Sequence, residues 1–170
     1  QLGVAEAARL AEAVGKPWGL ALPGVFRGRT APFSFKLVDT AIADRIATIT
    51  INRPDKLNAL NEEVVAQLAT AFDRASSASD VDAIIITGKG KAFVAGADIG
   101  WFVQKIEQKR IADIASFTRG GQELLQRFGK SPKVVIAKLD GLSLGGGSEL
   151  ALACDYIVAT KKASFGFPET

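Results

Sequence analysis

Three short apolar runs limit the folds open to this chain more than any other feature. Ala83–Thr87 (AIIIT) is continuous and bulky, as a strand buried on both faces must be. Ile46–Ile51 (IATITI) alternates Ile with Thr, and Val134–Leu139 (VVIAKL) opens on three β-branched residues. Each run ends at a breaker: Asn52-Arg-Pro-Asp55, Gly88-Lys-Gly90, and a glycine stretch that begins at Gly141. Between the first two runs, Asn61 caps an expected helix through about Ser76. Glu62 and Glu63 fill its first turn, and Leu68, Ala71, Phe72 and Ala75 form its inner stripe. Strands alternating with helices predict an α/β architecture.

The remaining elements follow the same logic. Val4–Val14 has helical spacing and Ala-rich propensity, so a short amphipathic helix is expected. Gly15–Pro32 carries Gly, Pro and Arg without periodicity and reads as a connector. A composition shift near Phe33 divides a leader or linker, 1–32, from a main domain, 33–170. Ala92–Ala95 reads as a brief extended segment. One long helical region is expected over Ile106–Phe128, with a weak point at Gly120-Gly121. Glu149–Cys154 reads as a helix, Tyr156–Thr160 as a strand and Ser164–Phe167 as a short extended piece.

Composition removes several classes of function. At 170 residues, 48% apolar and 23% charged, the chain is ordinary for a soluble globular domain. The net charge of +3 is dispersed, without a basic block or interleaved aromatics, which argues against nucleic-acid binding. A single cysteine, Cys154, excludes an internal disulfide and suits a reducing, cytoplasmic location. No run approaches the roughly 18 apolar residues of a membrane span. With no histidine at all, neither a Ser-His-Asp triad nor a His-ligated metal can be built within the chain, and no metal is expected. The chain opens without Met and stops at Pro168-Glu-Thr170, which reads as a piece of a longer polypeptide.

The stretch from Asp140 to Asp155, DGLSLGGGSELALACD, supports several readings. Gly141-x-Ser143-x-Gly145 fits a serine nucleophile elbow, but Ser143 would need an adjacent base and no His exists to serve. A dinucleotide G-x-G-x-x-G fails, because from Gly145 and Gly147 the third position falls on Leu150. In a third reading the glycines serve only to let a helix lie tightly on a strand. In the remaining reading, Gly146 opens a helix whose first N–H groups lack partners, a place suited to a developing oxyanion, with Glu149 in the same turn. The Gly96-Ala97 backbone offers a similar donor, and two such turns would polarise one carbonyl from both sides.

Four motifs in order resemble those of the enoyl-CoA hydratase/isomerase (crotonase) superfamily. They are Asn52-Arg-Pro-Asp-Lys-Leu-Asn-Ala-Leu60, Ala92-Phe-Val-Ala-Gly-Ala-Asp-Ile99, the 140–149 stretch, and Phe165-Gly-Phe-Pro-Glu169. The likeness covers about Phe33–Thr170. It implies a crotonase-like spiral of ββα units whose C-terminal part lies beyond position 170. It also implies hydration of trans-2-enoyl-CoA to 3-hydroxyacyl-CoA. By motif, the oxyanion amides fall on Ala97 and Gly146. The paired glutamates fall on Glu149, mainly activating water, and Glu169, mainly delivering a proton.

The coenzyme A cradle falls on Lys56, Leu57 and Ala95 with the turn Gly96, Ala97, Asp98 and Ile99, although Asp98 would equally well cap the next helix. Trp101, Phe102 and the 106–128 region are candidates for an acyl pocket or for plain core. Coenzyme A enters as part of the substrate, and no separate cofactor is implied. The partners implied are an acyl-CoA thioester and, in the full-length protein, identical subunits in a trimer or hexamer. Two alternatives stay open: double-bond isomerisation, and a non-catalytic acyl-CoA-binding or assembly domain. Residues 1–32 would suit the tail of a preceding hydroxyacyl-CoA dehydrogenase domain in a fusion.

Overall fold

The computed structural model describes residues 3–16, 18 and 30–168; the expected connector falls largely outside them. Along the chain come α1 (Val4–Ala13), β1 (Phe33–Ser34), β2 (Val38–Ala43), β3 (Ile46–Ile51), a 3-10 turn (Pro54–Lys56) and α2 (Glu62–Ser77). There follow β4 (Ala83–Gly88), β5 (Ala92–Ala95), α3 (Ile99–Glu107), α4 (Ile111–Gly129), β6 (Val134–Leu139), β7 (Leu142–Leu144), α5 (Gly146–Leu152), β8 (Tyr156–Ala159) and β9 (Ser164–Gly166).

The three apolar runs lie side by side in one sheet of order β1-β2-β3-β4-β6-β8. Pairing is antiparallel through β1, β2 and β3 and parallel from β3 through β8. The two-residue period of β4 explains its composition. Ile84 and Ile86 join a core with α2 (Leu68, Phe72) and α4 (Leu124, Phe128), while Ala83 and Ile85 join a second cluster under α1 (Ala7, Ala11). Both faces of the strand are therefore dry, and burying each Ile stabilises by up to about 1.5–3 kcal/mol. The helix α1 is also tied down by Lys16, whose Nζ lies 2.7 Å from Asp155 Oδ2 and 3.1 Å from the Lys133 carbonyl.

A second sheet, all parallel and of order β5-β7-β9, sets the site. Each of β4, β6 and β8 hands the chain to the next small-sheet strand, and a helix closes the unit after β5 and after β7. Parallel neighbours end at the same edge. In the register of β5 with β7, Ala95 stands opposite Leu144. Ala97 and Gly146 each lie two residues beyond that pair, on strands about 4.8 Å apart.

Local signals held where packing agreed with them. Asn61 caps α2, its Oδ1 accepting from the Val64 N–H at 2.9 Å. The long helical region needs correcting: α3 already starts at Ile99, and the chain breaks at residues 108–110, with Lys109 in the left-handed region at φ 58°. A cluster of Lys105, Arg110 and Asp113 fixes that break, with both cations 2.6 Å from the Asp113 carboxylate. Gly120-Gly121 does not interrupt the helix, which runs unbroken from Ile111 to Gly129. Gly120 faces Val65 of α2, so tertiary packing overrides a local penalty of about 1 kcal/mol per glycine. The helix expected at 149–154 begins three residues earlier, at Gly146.

Candidate functional site

The first turn leaves β5 at Gly96, whose φ of 80° only glycine adopts freely. Leu60 runs beside it as a one-residue parallel bridge to Ala97. The Leu60 N–H donates to the Gly96 carbonyl at 2.9 Å, and the Asp98 N–H donates to the Leu60 carbonyl at 2.8 Å. In a planar trans peptide the N–H points opposite to the carbonyl. Since the Gly96 oxygen faces Leu60, the Ala97 N–H faces the other way, and it has no acceptor among the described residues.

Asn58 secures the segment that makes this bridge. It is fully buried; its Nδ2 donates to the Lys89 and Ala92 carbonyls at 3.0 and 2.8 Å, and its Oδ1 accepts from the Arg53 N–H. The Ala95 N–H donates to the Leu57 carbonyl at 3.1 Å. The two stretches expected to cradle coenzyme A, Lys56-Leu57 and 95–99, thus adjoin, with Lys56, Leu57 and Ile99 exposed. Asp98 does cap α3, accepting from the Trp101 N–H at 3.2 Å, and it also pairs with Arg53 at 2.7 Å. Burial alone would raise the Asp98 pKa. The Arg53 hydrogen bond, the Trp101 N–H and the charges of Arg53 and Lys56 outweigh that and hold it below the usual carboxylate value.

The second turn relies on small residues. Gly145 adopts φ 49° and donates its N–H to the Gly166 carbonyl at 3.0 Å. A Cβ on Gly147 would sit 2.1 Å from the Val94 carbonyl oxygen, so glycine is required there for α5 to lie against β5. On Gly146 the nearest atom would be Leu60 Cδ1 at 3.6 Å, an ordinary contact. The packing requirement therefore falls on Gly147 and not on its neighbour Gly146. As the first residue of α5, Gly146 directs its N–H out of the helix end, with no acceptor among the described residues. Ser148 Oγ lies 2.7 Å from the Ser143 carbonyl and 2.9 Å from that of Gly166, tying α5 to β7 and β9. Ser143 is fully buried within β7, which removes the nucleophile elbow: that motif needs an exposed hydroxyl.

Ala97, Gly146 and Glu149 share the wall of one cavity of about 460 Å³. Leu60, Val65, Leu150 and Phe167 supply apolar wall, and α4 contributes Phe117, Thr118, Gly121, Gln122, Leu124 and Leu125. The bare Gly121 leaves room that a side chain would fill. Trp101 and Phe102 stand outside that lining and pack on Phe117, with ring centroids 5.1 and 5.5 Å away. Glu149 is exposed and forms no ion pair with any described residue. Glu169 lies outside the described residues. Arg53, Asn58 and Ser148 were not singled out from the sequence for any task; their only signal was membership of the motifs.

The family model Enoyl-CoA hydratase/isomerase matches residues 41–170. A probable enoyl-CoA hydratase of Mycobacterium bovis is 41% identical over 128 residues, covering 74% of this chain and 46% of the relative. Crotonyl-CoA hydratase of Syntrophomonas wolfei is 38% identical over 127 residues, covering 74% and 47%. The crystal structure of enoyl-CoA hydratase from Thermoplasma volcanium superposes with a TM-score of 0.72 at 41% identity, covering 78% of this chain and 52% of that one. An enoyl-CoA hydratase/isomerase from Xanthobacter autotrophicus gives 0.73 at 34% identity, covering 80% and 50%. The chain spans about half the length of the relatives it matches.

Proposed function

The chain belongs to the enoyl-CoA hydratase/isomerase family, and from that premise we propose that it forms the substrate-activating part of an enzyme that adds water to trans-2-enoyl-CoA thioesters. The observation that carries this reading is that Ala97 and Gly146, whose main-chain N–H groups have no acceptor among the described residues, line one largely apolar cavity together with Glu149.

The thioester oxygen sits between the two amides. Their hydrogen bonds strengthen as negative charge moves onto that oxygen, so they favour the enolate-like transition state over the ground state. Polarisation makes the β-carbon electrophilic. Glu149 takes a proton from water as the oxygen bonds to the β-carbon, and the α-carbon then receives a proton, giving 3-hydroxyacyl-CoA. We assign that delivery mainly to Glu169, which follows Glu149 by twenty positions (169 − 149 = 20). Each proton transfer contributes about 10²–10⁴ in rate. Lys56, Leu57, Ala95 and the 96–99 turn hold the coenzyme A portion, and the α4 side of the cavity takes the acyl chain. The chemistry uses no cofactor beyond the coenzyme A of the substrate.

The test is to incubate the full-length protein containing this chain with crotonyl-CoA and follow the enoyl-thioester absorbance. Its loss, with 3-hydroxybutyryl-CoA as product, is the expected result. Turnover of a 3-enoyl-CoA without hydration would assign an isomerase instead, and binding without either reaction would assign an acyl-CoA-binding module.

A further inference from the structure

The bridge that orients the Ala97 amide is short. Only the bonds from Leu60 to Gly96 and from Asp98 to Leu60 define it, and Gly96 beside it has a permissive backbone. Asn58 and the Ala95–Leu57 bond brace the segment that approaches it, and a further tie crosses the bridge itself. Arg53 spans it. One guanidinium nitrogen, Nη2, lies 2.7 Å from Asp98 Oδ2, and the other, Nη1, donates to the Ala59 carbonyl at 3.1 Å. Ala59 immediately precedes Leu60, and Asp98 immediately follows Ala97, so the two arms grip both sides of the bridge. The planar fork of arginine suits this grip, since its two donors keep a fixed spacing.

The base of Arg53 is itself pinned, its N–H donating to the buried Asn58 Oδ1 at 2.9 Å. On the other side, the second Asp98 oxygen caps α3. Side-chain exposures of 15% and 16% leave the pair little screened by water.

We infer that Arg53 and Asp98 form a positioning clamp that fixes the direction of the Ala97 amide and thereby tunes how strongly the substrate carbonyl is polarised. This rests on the hydration reading above. Neither residue touches the reacting atoms. The clamp acts through the peptide between Gly96 and Ala97, where a misplacement of about 1 Å costs on the order of 10²-fold in rate.

The test uses the full-length protein and its Arg53→Met, Arg53→Lys and Asp98→Asn variants, with crotonyl-CoA for kinetics and cinnamoyl-CoA as a spectroscopic probe. The carbonyl stretch of the bound probe falls as its oxygen is hydrogen-bonded. Arg53→Met should lower kcat by about 10–100-fold with KM changed less than about threefold, and should reduce the downshift of the stretch. Arg53→Lys should recover part of both, because an ammonium reaches Asp98 but not also Ala59. Asp98→Asn keeps a cap oxygen and loses the charge, so it carries the test if Arg53→Met fails to fold. An unchanged carbonyl stretch in folded variants, whatever their kcat, would overturn the clamp. A parent protein that neither hydrates crotonyl-CoA nor shifts the probe's stretch would instead overturn the proposed function beneath it.

Discussion

In the turn after β5 the free amide is held in place by side chains brought from elsewhere in the chain. In the turn after β7 it is held by the absence of side chains. Arg53, Asn58 and Asp98 shape the first; Gly145 and Gly147 shape the second, with the Ser148 hydroxyl adding a side-chain tie. Each turn also carries a carboxylate, and the two have opposite circumstances. Asp98 is engaged by a cation and a helix cap, whereas Glu149 is exposed and unpaired among the described residues. Two turns with the same backbone output thus have different dependencies: one carboxylate shapes the site, and the other is available to react.

That contrast can be broken most sharply at Glu149. Glu149→Gln should reduce hydration by about 10²–10⁴, while substrate affinity and the melting temperature stay at the parent's values. A comparable loss of stability would place Glu149 with Asp98 as a structural group. Next comes removal of the second amide itself. Proline is tolerated at the first position of a helix, so Gly146→Pro should retain the fold and lose about 10²–10³ in kcat. A proline variant as active as the parent would mean that the Gly146 N–H does no chemistry.

The neighbouring glycine sharpens the comparison through stability. Gly147→Ala drives a Cβ into the Val94 carbonyl, so chemical denaturation should report a loss of about 1–3 kcal/mol or more. Gly146→Ala should stay within about 0.5 kcal/mol.

The smallest effect concerns pH. Because the Asp98 pKa is lowered in the folded state, its contribution to stability is complete above the ordinary carboxylate value of 3.8 and is lost as pH falls through the lower folded value. Asp80 and Asp113 are also held low, so the parent should lose stability over that acidic window. Asp98→Asn should lose less. Identical acid profiles would detach Asp98 from the fold's stability.

The same division explains what could be read in advance. The strands at Ile46–Ile51 and Val134–Leu139 were legible to the residue, because each run is one whole, largely buried strand. Asn61 was legible as a cap because its acceptor acts three residues away. β2 and β7 were missed. The three residues of β7 sit inside a glycine stretch, and they become a strand only by pairing with β5 and β9. The weak point expected at Gly120-Gly121 does not interrupt α4, and the break at 108–110 was not foreseen, since local propensity points to glycine while that break is fixed by charges on Lys105, Arg110 and Asp113. In the site, the motifs singled out Ala97, Gly146 and Glu149. Asn58 escaped because one of its partners lies 34 positions along the chain, and no periodicity encodes such a bond.

The central claim is that the Ala97 and Gly146 amides take hold of one thioester oxygen. A crystal structure of the full-length protein with an unreactive enoyl-CoA analogue tests it most directly. The account predicts that oxygen about 2.7–3.1 Å from both nitrogens, with the Glu149 carboxylate facing the β-carbon. An analogue bound with its carbonyl on one amide alone, or outside the cavity between β5 and α5, would contradict it.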